Sequence, residues 1–209
     1  MATEKNLQEL FHETLKDIYF AEKKILAALP KMAKAAQSQE LKAAFEKHEN
    51  ETEEHVARLE RVFEEIEETP RGKTCDAIMG IIEEGQEVMK EFRGAPALDA
   101  GLLAAAQAVE HYEIARYGTL KTWAAELGLN EAVKLLDMTL GEEKKTDETL
   151  TQLAQSEVNQ HAQAARRRWI EGHPPARGSR RRRAALRQTS CRPRRRTMMQ
   201  QPRSTASRT

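Results

Sequence analysis

Residues 102–127 read LLAAAQAVEHYEIARYGTLKTWAAEL. At 100° per residue, Leu102, Ala106, Val109, Tyr117, Leu120 and Leu127 gather on one face of a helix, and Glu113 stands at the centre of that face. Glu110 lies one turn before it, about 60° off. A carboxylate in the middle of an apolar stripe is a poor choice for packing alone, and the same feature recurs along the chain. In the first helical stretch Phe11, Leu15, Ile18, Leu26 and Leu29 lie within about 40° of Glu22. In the last, Ala132, Leu136, Thr139, Leu150 and Ala154 centre on Glu143, with Asp147 one turn later on the same face and Glu142 pointing sideways. The second stretch carries Leu41, Phe45, His48, Thr52, His55, Leu59, Val62 and Ile66 on one face, with Glu51 at its edge.

These residues also share a level. In an antiparallel helical hairpin with a short turn, two residues meet when their midpoint falls on the turn. Glu22 and Glu51 are centred on Ala36–Gln37, beside the polar break Gln37-Ser38-Gln39. Glu113 and Glu143 are centred on Gly128, and Glu110 and Asp147 on Gly128-Leu129. Burying one ionised carboxylate costs several kcal/mol, so five or six together would exceed a net domain stability of about 5–15 kcal/mol. Lys and Arg are scarce on the apolar stripes, which leaves bound metal as the compensating charge. Hard oxygen donors with one or two imidazoles suit iron or manganese. A glutamate on each of two helices, with paired ligands one turn apart on the other two, is the di-metal carboxylate arrangement.

The stretches Tyr19-Phe20-Ala21-Glu22-Lys23, HENETEEH (48–55), EHYEIARYGTL (110–120) and EEKKTD (142–147) resemble the YciE/YciF family of ferritin-like proteins, over about Leu7 to Val158. The resemblance implies a rubrerythrin- and ferritin-like architecture, a di-iron site with two ions per chain, and a stress-associated role. It implies Glu22, Glu51, Glu110, Glu113 and Glu143 as ligands, with Glu51 and Glu143 as bridges, Glu22 and Glu113 terminal and Glu110 an additional donor. Asp147 and a histidine of the second helix are further candidates. Ferritin-like helices usually carry Glu-x-x-His, whereas here His48 lies three residues before Glu51 and His55 four after it, so the nitrogen ligand stays open between them. About 10 Å of helical rise separates the two, too far for one metal ion. His55 mirrors Asp147 if Glu51 is matched with Glu143.

The chain changes character near residue 165. Residues 1–165 carry 19 basic against 32 acidic side chains, a net −13, whereas residues 166–209 hold 15 Arg, no Lys and only Glu171, a net +14. The acidic part is rich in Ala, Glu, Lys and Leu at helical period and has no alternating β-branched run, which predicts an all-α domain over 1–165. Helices are expected at 4–36, 39–68, 74–93, 97–127 and 129–160, with Pro30 a possible kink in the first. The third, set off by Thr69-Pro70-Arg71-Gly72 and Gly94-Ala95-Pro96, has a length suited to a crossover along a four-helix bundle. The Arg-rich segment has no apolar period and is expected to be a disordered tail; translation in a different reading frame would account for its abrupt composition.

The leading expectation is a protein that binds two iron ions, with manganese the alternative, and reacts with dioxygen or peroxide as a ferroxidase or peroxidase-like oxidoreductase. A helical stress-response bundle acting by protein association without turnover is the competing reading. A Dps-like DNA-protecting protein, binding nucleic acid through its tail, ranks third. A homodimer or higher homo-oligomer is expected. The absence of an 18–20-residue apolar run and of an N-terminal hydrophobic segment predicts a cytoplasmic protein without membrane contact. His111 is expected at the surface. Tyr19 and Tyr112 fit either packing or support of the carboxylates, and Cys75 and Cys191 suggest neither a disulfide framework nor a zinc site.

Overall fold

The structure, a computed structural model, describes residues 5–164. Five α-helices follow one another: α1 (Leu7–Ala35), α2 (Gln39–Glu65), α3 (Asp76–Glu91), α4 (Leu98–Glu126) and α5 (Asn130–Leu153). A π-helical turn, Ala154–Val158, extends α5, and α-helix resumes at Asn159. There is no strand among the described residues, and no helix there is long and apolar enough to cross a membrane.

Local chemistry sets the helix ends. Asn6 caps α1 through its side chain and Glu9 returns the bond, a capping box, while Ser38 Oγ accepts from Leu41 N at the start of α2. Gly128 (φ +75°) follows the end of α4 in the left-handed conformation that lets the chain reverse into α5. α1 runs on through Pro30 to Ala35. α3 is shorter than its sequence suggests, 16 residues, because the chain enters helix only after Cys75 and leaves it before Gly94 (φ +70°).

α1, α2, α5 and α4 close a four-helix bundle in which every adjacent pair is antiparallel. The direction follows from pairs along each seam: Tyr117 with Glu22 and Asp99 with Gln37 between α4 and α1, His55 with Glu142 and Arg61 with Glu131 between α2 and α5. α3 is the crossover that makes this connectivity possible. It packs outside the four, along α1 and α4. Two polar clamps fix the ends of the bundle. Asp99 accepts from the backbone N–H of Gln37 (2.8 Å) and Ser38 (2.7 Å), and Glu65 accepts from Glu131 N and Ala132 N at the free start of α5.

Inside, fully buried Phe11, Leu15, Phe63 and Leu120 fill one end of the bundle, and Leu41, Phe45, Leu102 and Leu150 the other. Each such side chain contributes roughly 1.5–3 kcal/mol by leaving water. Between these two apolar zones the core is polar.

Candidate metal centre

The four bundle helices contribute ionisable side chains to this polar middle. Glu22 of α1, His55 of α2, Glu113 of α4 and Glu143 of α5 are wholly buried, and Glu110 and His48 almost so. They form two groups, in each of which one donor atom per residue lies within 4.8 Å of the others: Glu22, His55 and Glu143 in one, His48, Glu110, Glu113 and Glu143 in the other. Glu143 belongs to both. Its Oε1 is 2.9 Å from His55 Nδ1 and its Oε2 3.8 Å from His48 Nε2, which is also 3.3 Å from Glu110 Oε1. The two histidines, seven residues and nearly two full turns apart on α2, thus face the two groups separately, their rings 6.2 Å apart.

The remaining sequence candidates lie outside both groups. Glu51 sits at the rim with a quarter of its side chain exposed, paired with Lys47, its other oxygen 3.8 Å from His48 Nδ1. Asp147 is equally exposed; its Oδ1 accepts from Gln107 Nε2 and lies 3.3 Å from the exposed His111. On an ideal wheel Glu51 stands about 60° from His48, enough for a flexible side chain to turn outward to a lysine.

Three residues that the sequence pattern did not single out support the groups. The Tyr117 hydroxyl donates to Glu22 Oε1 from a fully buried ring. Glu142, the sideways neighbour of Glu143, lies 2.9 Å from His55 Nε2 and accepts a two-pronged bond from Arg58. An acid beside an inward acid, opposite an arginine one turn beyond a histidine, is the only trace of this contact in the sequence. Tyr19 and Tyr112 serve other carboxylates, donating to Glu60 and Asp17 respectively.

The electrostatics follow from burial. Loss of water pushes Glu22 up to about 7, with Glu143 adding to the rise and His55 and the Tyr117 hydroxyl opposing it. Burial, then the nearby Glu143, carries Glu110 and Glu113 well above the usual carboxylate range, and burial beside Glu22 raises Tyr117. For His55, burial favours the neutral ring but is outweighed by Glu143, Glu22 and Glu142, which raise it to about 9. Glu51 goes the other way, down to about 2, because the His48 ring and the Lys47 ammonium lie beside it.

Hydrogen bonding does not complete these groups. Among the described residues, ten buried side-chain N and O atoms lack a hydrogen-bond partner, and all belong to Glu22, His48, Glu51, His55, Glu110, Glu113 and Glu143. Native proteins leave few buried polar atoms unpaired, and a cluster of this kind could hold a cation. The donor set fits a pair of hard or borderline metal ions: carboxylate oxygens from three helices, one imidazole for each position and one carboxylate common to both.

An antiparallel four-helix bundle with a crossover helix and inward carboxylates at mid-height is a ferritin-like fold. The chain belongs to the family described as "Domain of unknown function (DUF892)", whose model matches residues 6–163. It is 44% identical over 160 residues to Protein YciF of Escherichia coli K12, covering 76% of this chain and 96% of that one. The crystal structure of the E. coli stress protein YciF aligns with a TM-score of 0.71, covering 75% of this chain and 99% of that one. A Rhodopseudomonas palustris protein, YcfI, aligns with a TM-score of 0.69 at 41% identity, covering 72% and 97%. A Xanthomonas campestris protein at 23% identity (TM-score 0.57, 77% and 99%) shares the fold.

Proposed function

We propose that the protein is a di-metal carboxylate protein that holds two iron ions per chain and reacts with dioxygen or peroxide in a stress-associated role. The observation that carries this reading is that nine of the ten unpartnered buried polar atoms belong to the residues of two donor groups joined by Glu143. One position would be held by Glu22, His55 and Glu143, the other by His48, Glu110, Glu113 and Glu143; manganese suits the same donors. A ferrous pair held there would supply the two electrons that the oxidant takes up, and the carboxylates would stabilise the ferric state.

The chain's own residues prepare this chemistry. Burial favours the protonated form of Glu110 and Glu113, so a cation that binds there displaces protons and metal uptake releases acid. Glu142 takes the Nε2 proton of His55 in a hydrogen bond and leaves Nδ1 facing Glu22 and Glu143, while Arg58 fixes Glu142. Tyr117 orients Glu22 and holds a proton beside it. The name of the E. coli relative, a stress protein, supports the stress-associated part of the reading.

Elemental analysis of protein purified without chelator, with anaerobic Fe(II) titration and then exposure to air, tests the proposal. About two irons per chain are expected, with an oxo-ferric absorption band after air. No stoichiometric metal would refute it and favour a bundle acting by association.

A further inference from the structure

A cavity of about 30 Å³ lies where α3 crosses the seam between α1 and α4. Its walls are hydrocarbon, among them Ile25 of α1, Ile82 and Met89 of α3 and Val109 of α4. The small side chains Ala28, Ala105 and Ala106 leave the space open. Two further groups line it. Exposed Lys31 and Gln86 stand at the solvent side, and buried His48 and Glu110, members of one donor group, at the other.

A space of this size holds one molecule of two or three heavy atoms, since about 10–15 Å³ suffices for one water. Its walls discriminate by polarity. Water needs 2–4 polar partners, which the hydrocarbon part does not offer, and hydrogen peroxide would lose its hydrogen bonds there in the same way. An anion would lose still more. A neutral diatomic with no hydrogen bonds to lose is the guest that matches both volume and lining.

We propose that this cavity takes up dioxygen and delivers it to the His48–Glu110 side of the metal centre, the crossover helix α3 forming its outer wall. The proposal rests on the metal reading given above and adds to it the oxidant and the side from which it arrives.

Xenon, an apolar monatomic probe, tests the cavity without metal. Crystals of the metal-free full chain under xenon pressure are expected to show one bound atom in contact with Ile25 and Ala106; an empty cavity overturns the proposal. The double variant Ala28→Leu/Ala105→Leu, checked for native helicity, fills the same space and is expected to abolish xenon binding. In the iron-loaded protein it is expected to slow oxidation by dioxygen about tenfold while leaving oxidation by hydrogen peroxide unchanged. Equal rates with dioxygen in the variant and the parent, or equal slowing with both oxidants, overturn the route. Absence of bound iron would defeat the metal reading instead, and the xenon result on metal-free protein keeps the two failures apart.

Discussion

Metal-free protein is expected to lose stability as pH rises through neutrality, a window in which ordinary surface carboxylates, ionised in both folded and unfolded chain, contribute almost no slope. Glu22 has a folded value of about 7 against an ordinary 4.5, so the folded state binds its proton more tightly than the unfolded chain. The stability linked to that proton is fully present below pH 4.5 and is lost as pH rises through 7. At about 1.4 kcal/mol per pH unit, Glu22 alone removes about 2 kcal/mol between pH 5.5 and 7, out of a total of about 5–15. Glu110 and Glu113, raised further, act in the same direction. His55 continues the trend: raised from 6.5 to about 9, its contribution is intact below 6.5 and is lost toward 9. Glu13 and Glu51, lowered to about 2, lend stability that is present above 4.5 and constant across this window. Urea denaturation of chelator-treated protein at half-unit steps from pH 5.5 to 8.5 measures the slope. A falling midpoint is expected, and iron should abolish the fall by replacing the protons. A midpoint that stays level or rises in the metal-free protein would refute the buried-acid electrostatics.

Single substitutions separate the two positions. His48→Ala and His55→Ala are each expected to lower metal stoichiometry from two ions toward one, read by elemental analysis, whereas Glu143→Ala should affect both; unchanged content in Glu143→Ala would remove the shared ligand from the scheme. Arg58→Ala frees Glu142 from its guanidinium partner and is expected to weaken metal binding by roughly 10–100-fold in competition titrations, without loss of helicity. Asp99→Ala leaves the N–H groups of Gln37 and Ser38 without their carboxylate, and should cost about 1–3 kcal/mol in urea denaturation; parental stability would show that solvent replaces it.

Much of this molecule is written in local pattern. Helical period, the breaks at Gln37-Ser38-Gln39 and Gly128-Leu129-Asn130, and the isolated segment before Gly94 lead to five helices, two hairpins and a crossover, because backbone preference and amphipathic burial act over a few turns. The inward direction of Glu22, Glu113 and Glu143 is legible for the same reason, since each stands at the centre of an apolar stripe and the hairpin geometry sets its height. The expected tail at 166–209 lies outside the described residues. What could not be read locally concerns side chains near the edge of a stripe, where a few tens of degrees and one neighbour decide the outcome. Glu51 turns to Lys47, Asp147 to Gln107, and Glu142 reaches back to His55 and Arg58. The surroundings of His48 and His55 are decided in the same way. Packing α2 against α5 places Glu143 between the two rings, so each imidazole meets its own carboxylate group, an outcome set by the interhelical contact and by no spacing along α2.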